Sequence, residues 1–119
     1  MTGNSALAAD PDLKKVDALI EQGRVAEAYS LLEPFEYKQA GDVNFNYLLG
    51  TAALDSGKPD KARLAFERVL AADPYFAAAR IGMGRAYFAL GDFNRAKTEF
   101  ETVLTQNPSP TARSPTQEQ

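Results

Sequence analysis

The residues of this chain that could do chemistry are few, and their spacing limits what each could attempt. Glu99 and Glu101 are near-neighbour carboxylates, the raw material of general acid–base catalysis. Asp10-Pro11-Asp12 sets two acids where a calcium ligand cluster could begin. Gly82-Met83-Gly84-Arg85-Ala86-Tyr87 has the outline of a glycine loop for a dinucleotide phosphate. Each falls short of its chemistry. The carboxylate pair has no cleft and reads as solvated helix surface. The aspartates lack the further acids and the loop glycine of a calcium site, and capping a helix is the simpler role. A dinucleotide loop needs a strand before it and a helix that opens at the glycines, whereas these glycines fall inside a helical pattern. The chain contains no histidine and no cysteine, which removes imidazole catalysis, thiolate nucleophiles, thiolate metal sites and disulfides together. No catalytic, cofactor or metal site is therefore expected, and the chain reads as non-enzymatic.

Composition narrows the class further. The 119 residues suit one domain, and 45% apolar with 24% charged residues is the balance of a globular chain. The net charge is −3 and the bases are scattered, the longest run being Lys14-Lys15 between Asp12 and Asp17. Nucleic-acid binding needs clustered Lys and Arg, so that partner class is excluded. No apolar run approaches the about 18 residues that cross a bilayer, so no direct membrane insertion is expected. The N-terminus lacks the charged and apolar regions of a signal peptide. Ala6-Leu7-Ala8 before Ala9-Asp10 reads either as the A-x-A end of a removed signal or as an ordinary alanine-rich start. Absence of cysteine fits cytoplasm and periplasm alike.

What organises the chain is a period of 34 residues. It relates Gly50 to Gly84, Gly57 to Gly91, Ala62 to Ala96, Phe66 to Phe100, Val69 to Val103, Leu70 to Leu104 and Pro74 to Pro108. A weaker copy lies upstream, with Gly23, Ala28 and Leu32 in the places of Gly57, Ala62 and Phe66. The units are 9–42, 43–76 and 77–110, with a flexible N-terminus over 1–8 and a disordered Pro/Ser/Thr/Gln tail over 111–119.

Each unit reads as two helices. Ahead of the third, Asp73-Pro74 is expected to supply an N-cap and a first-turn proline. Phe76, Ala79, Met83, Tyr87 and Leu90 then recur at helical spacing, Gly91 ends the helix, and Asp92 caps a second helix from Phe93 to Gln106, which Asn107-Pro108 stops. Asp42, Gly57 and Pro59 repeat this grammar in unit two, and Asp10-Pro11 opens unit one. Gly50 and Gly84 sit mid-helix, where glycine costs about 1 kcal/mol relative to alanine. Two such costs at equivalent places imply a contact that admits no larger side chain. Ala62 and Ala96 mark a close helix approach, and Phe66 and Phe100 fill the space between hairpins. Pro34 is expected to bend the second helix of unit one near Leu32 to Glu36.

These residues resemble the tetratricopeptide repeat. Its 34-residue unit carries Leu-Gly in helix A, an aromatic three residues on, Ala then Phe in helix B, and a terminal Pro. Unit three matches with Gly84, Tyr87, Ala96, Phe100 and Pro108; unit two with Leu49-Gly50, Ala62, Phe66 and Pro74, with Ala53 in the aromatic place. Asn46 and Arg80 stand where the family has an early Trp. The resemblance implies an all-α, right-handed solenoid of three hairpins and six helices, with the A helices lining a concave groove. The groove places it implies are Leu13, Asp17 and Ile20; Asn44, Tyr47, Thr51 and Leu54; Ala78, Ile81, Arg85 and Phe88. An apolar strip with a few hydrogen-bonding groups suits an extended peptide or a partner helix. Tyr47, Ile81 and Phe88 could equally complete the core. Chaperone-binding members carry a basic carboxylate clamp; its places here hold Leu13, Asp17, Leu48, Ala78 and Gly82, so binding of acidic chaperone tails is not expected.

A second, looser resemblance runs through Leu31-Leu32-Glu33-Pro34, Tyr47-Leu48-Leu49-Gly50 and Ala52-Ala53-Leu54-Asp55-Ser56-Gly57. It looks like bacterial envelope proteins of this family, including the periplasmic segment of surface-lipoprotein assembly modifiers, and it leans the compartment towards the periplasm. Terminal repeats need a polar cover. Phe100, Val103 and Leu104 face an edge followed only by the tail, so the chain is expected either to belong to a longer array or to self-associate there. Two functions follow as expectations: a scaffold that binds a peptide or partner protein in the groove, or a self-assembling structural segment.

Overall fold

Gly23, Gly57 and Gly91 adopt φ of 81°, 81° and 83°, the left-handed region that glycine enters without strain. At each, the glycine N–H donates three residues back and the next N–H donates five residues back. The pairs are Gly23 to Ile20 with Arg24 to Leu19, Gly57 to Leu54 with Lys58 to Ala53, and Gly91 to Phe88 with Asp92 to Tyr87. This double bond satisfies the last carbonyls of one helix and turns the chain into the next. The computed structural model describes residues 10–106. The first hairpin is α1 (Leu13–Glu21) with α2 (Val25–Leu32), the second α3 (Val43–Asp55) with α4 (Pro59–Ala72), the third α5 (Ala77–Ala89) with α6 (Phe93–Gln106). No strand occurs among the described residues. The expected flexible residues 1–8, the stop at Pro108 and the tail over 111–119 lie outside them.

Helix starts follow the sequence in most places. Asp12 caps α1 by accepting from the N–H groups of Lys14 and Lys15, Asp42 accepts from Phe45 N–H at 2.8 Å, and Asp92 accepts from Arg95 N–H at 3.1 Å. Pro59 opens α4, where its missing donor costs nothing. Two expectations are corrected. Asp73-Pro74 does not cap α5: Asp73 closes α4 and accepts from Tyr75 N–H, and α5 starts after Phe76 with no side-chain cap. Its start is set by packing, since the Phe76 ring stacks on Tyr47 at 5.1 Å. Pro34 does not bend a continuing helix. α2 stops at Leu32, and Pro34 sits in the first turn of a 3-10 segment, Glu33–Phe35. The loop that follows is pinned by buried Asn46, whose Nδ2 donates to the carbonyls of Ala40 at 2.9 Å and Asp42 at 2.8 Å.

Stacking of the hairpins depends on one ring. Phe66 of α4 is 1% exposed and lies between two helices. A Cβ at Gly50 of α3 would stand 2.6 Å from its Cε1, and a Cβ at Gly82 of α5 would stand 2.5 Å from its Cζ. The backbones of both helices therefore approach the ring closely. One repeat earlier the same three places hold Val16, Leu32 and Leu48, all in one core cluster. The smaller leucine at the Phe66 place is accompanied by larger side chains at both glycine places. Tyr29 on α2 packs against this cluster and against the second one around Phe66. Burial pushes its phenol above the ordinary range.

Two polar ties reinforce the stack. Glu36, 4% exposed, faces Arg68 at 3.4 Å and Lys61 at 3.9 Å on α4. Arg80 of α5 pairs with Glu99 of α6 at 2.8 Å and donates to the Pro74 carbonyl at 3.0 Å. Glu99 is thus half-buried and structural, correcting its expected place on solvated surface, while Glu101 is exposed and meets only Lys97.

Replacing Gly82 by alanine should gain about 1 kcal/mol of helix propensity and lose more to the trapped ring, overpacking costing about 1–3 kcal/mol. Urea unfolding should show Gly82→Ala as net destabilising. In a cycle with Phe66→Leu, the pair should recover about 1 kcal/mol or more of coupling, because the leucine leaves room for the methyl group. Additive losses would contradict this packing.

Candidate functional site

The repeat carries side chains from α1, α3 and α5 onto one surface in rows. Leu13, Tyr47 and Ile81 are equivalent by the 34-residue period, and so are Asp17, Thr51 and Arg85. In each helix the two rows are four residues apart and share a face. The surface holds two adjoining depressions. One, of about 260 Å³, is lined by Leu13, Lys14, Asp17, Asn44, Tyr47 and Leu48. The other, of about 180 Å³, is lined by Tyr47, Thr51, Leu54, Phe66, Ala78, Ile81, Gly82 and Arg85. Nine of the eleven groove places (Leu13, Asp17, Asn44, Tyr47, Thr51, Leu54, Ala78, Ile81 and Arg85) thus line the two depressions.

Tyr47 is the wall between the depressions, and it both packs on the core and lines the surface. Its ring stacks on Phe76 at 5.1 Å and meets Phe66 at 6.1 Å, so the core fixes it while one edge stays open to solvent. Ile81 is 42% exposed and has no core role that requires it. Thr51 donates its hydroxyl to the Tyr47 carbonyl at 2.9 Å, which orients an oxygen that can still accept. Arg85 Nη2 meets Asp55 Oδ1 at 3.3 Å, an exposed pair on the rim. The two ends of the polar row carry opposite charge, Asp17 on α1 and Arg85 on α5.

Ile20 and Phe88 lie elsewhere. Ile20 packs against the first core cluster. Phe88, 60% exposed, turns to the C-terminal end of the stack and meets Phe93 edge-on at 4.9 Å. There it lines a third, almost wholly apolar hollow of about 360 Å³ with Phe93, Ala96, Lys97, Phe100, Glu101 and Leu104. Of the three edge residues read from sequence, Phe100 and Leu104 line this hollow and Val103 is half-buried beside it. The sequence reading places Phe93 on one helix face with Phe100 and Leu104 without counting it in the edge, and it missed Asp55 as the mate of Arg85. Phe93 occupies the helix-opening place of Pro59, an unusual place for a large ring. Asp55 precedes Arg85 by 30 residues, one period less one helical turn, which is the signal that could have found it.

The five clamp places carry no basic residue. Among the described residues no group of three or more acids could hold a metal ion, and no helix is long and apolar enough to cross a membrane.

Two family models described as tetratricopeptide repeat match the sequence, one over residues 13–77 and one over residues 53–114. No curated protein matches the chain. The two matches each span more than half of the 119 residues, they overlap across the second hairpin, and they agree with three stacked helix pairs closed by equivalent glycine turns. The chain belongs to the tetratricopeptide repeat family, whose repeats generally mediate protein–protein interaction.

Proposed function

We propose that this module is a non-catalytic scaffold that binds a peptide or a segment of a partner protein across α1, α3 and α5. The observation that carries the reading is the pair of depressions meeting at Tyr47. A rigid aromatic wall between two hollows is suited to seat consecutive side chains of a ligand, since an anchored ring loses little entropy on binding. Exposed Ile81 and half-buried Leu54 favour an apolar ligand side chain in the second hollow. Asn44 and the Asp17 carboxylate supply hydrogen-bonding groups to the first hollow and Thr51 to the second. The absence of histidine and cysteine throughout the chain leaves the scaffold without the commonest catalytic side chains, in keeping with a family of typically non-catalytic scaffolds.

Peptides selected by display on the immobilised module provide the test. Ile81→Glu and Tyr47→Ala should each weaken the selected peptides by about tenfold or more, with helicity kept in the Ile81 variant. Asp17→Lys should shift the charge preference of newly selected peptides from basic to acidic. Peptides indifferent to all three substitutions would sink the groove reading. Arg85→Ala should change stability by less than about 0.5 kcal/mol, because its partner Asp55 and the guanidinium are both well solvated. A larger loss in urea unfolding would make Arg85 a structural residue instead.

A further inference from the structure

The two ends of the stack are chemically opposite, and the repeat shows what each end can accept. Inside the stack, Gly82 of the following hairpin covers Phe66. At the C-terminal end Phe100 repeats Phe66. A Cβ at Gly84 would stand 2.5 Å from the Phe100 ring, but no further helix among the described residues packs on it, and Phe100 is 36% exposed. Two periods before Gly82 lies Lys14, exposed on the outer side of α1 beside Lys15 and Ala18. The place of Gly82 has no room even for a Cβ, so a second copy cannot dock its α1 onto Phe100 as α5 docks onto Phe66. Head-to-tail stacking is excluded on steric grounds. The residues one period beyond Ala79, Ile81, Gly82 and Met83 are Arg113, Pro115, Thr116 and Gln117, which lack the apolar face of a covering helix.

We propose that the C-terminal face is an isologous dimer interface, two copies of this chain meeting α5–α6 edge to α5–α6 edge about a two-fold axis. The face is self-complementary in shape: its 360 Å³ apolar hollow lies beside its most protruding apolar side chain, Leu104, 65% exposed. It is also self-complementary in charge. Lys97 and Glu101 rim the hollow, both well exposed and only loosely paired within the chain at 3.9 Å. A two-fold axis sets Lys97 against the partner's Glu101 and leaves neither charge buried alone. The opposite, lysine-bearing end of each copy stays solvated, so the assembly closes at two. This inference is independent of the groove reading, whose surface would remain open in the dimer.

Sedimentation velocity on the full chain, from about 1 µM to several hundred µM, tests it. The expected result is a reversible monomer–dimer equilibrium with no larger species. Leu104→Glu and Phe88→Glu should each raise the dissociation constant by about tenfold or more. Lys97→Glu and Glu101→Lys should each weaken the dimer, and the double exchange should restore it. These two residues are solvent-facing, so their readout does not depend on a core that tolerates change. A monomer across the whole range would overturn the proposal. So would open-ended polymers, a dimer indifferent to Leu104→Glu, or a double exchange with no recovery. A monomer whose terminal face instead binds display-selected peptides would also overturn it, in favour of a different partner.

Discussion

One aromatic ring pressed between two glycines holds this structure together. Phe66 touches the α3 backbone at Gly50 and the α5 backbone at Gly82, so a single side chain of α4 joins its own hairpin to the next. The arrangement has a physical cost, since glycine inside a helix is disfavoured. That cost is offset because two backbones approach the ring closely and exclude water from it. Val16, Leu32 and Leu48 solve the same problem in the first hairpin with three medium side chains. Close packing across the three places is what the repeat preserves, while the residue types at them differ.

The surface proposed for binding is a consequence of this stacking. Because consecutive A helices are set at a fixed spacing by the ring contacts, places one period apart fall into rows. Leu13, Tyr47 and Ile81 form one such row and Asp17, Thr51 and Arg85 another. Tyr47 belongs to both the core and the surface: Phe66 and Phe76 fix its ring, and two hollows open on either side of it. A ligand-facing side chain held in this way is already ordered before anything binds. The same repeat logic leaves a different chemistry at each end of the stack, lysines on α1 and aromatic rings on α5 and α6.

The helices, their glycine turns and the packing role of Gly50 and Gly84 were legible in the sequence, because each follows from a local residue type at a fixed interval. That places one period apart line one surface was legible for the same reason. What the sequence reading missed involved contacts between elements that are not equivalent by the period. The start of α5 was misplaced because stacking of Phe76 on Tyr47 overrides the capping preference of Asp73. Glu99 was read as solvated because nothing local shows that Arg80, on the neighbouring helix, reaches it. Pro34 was read as a kink because its effect depends on whether the helix continues past it; buried Glu36 and the Asn46-pinned loop hold the chain in another course. Phe88 was assigned to the groove because the family resemblance puts its place there. Among the described residues no further helix follows the last hairpin, and Phe88 turns towards Phe93.

Native-state hydrogen exchange across the described helices tests the ring contact as the element that unites the stack. If Phe66 joins the second and third hairpins, amides around Gly50, Phe66 and Gly82 should open together with one free energy, and α6, whose Phe100 is partly exposed, should open more readily. Separate opening free energies for α3–α4 and for the part of α5 around Gly82, or greater protection in α6 than in α4, would contradict it.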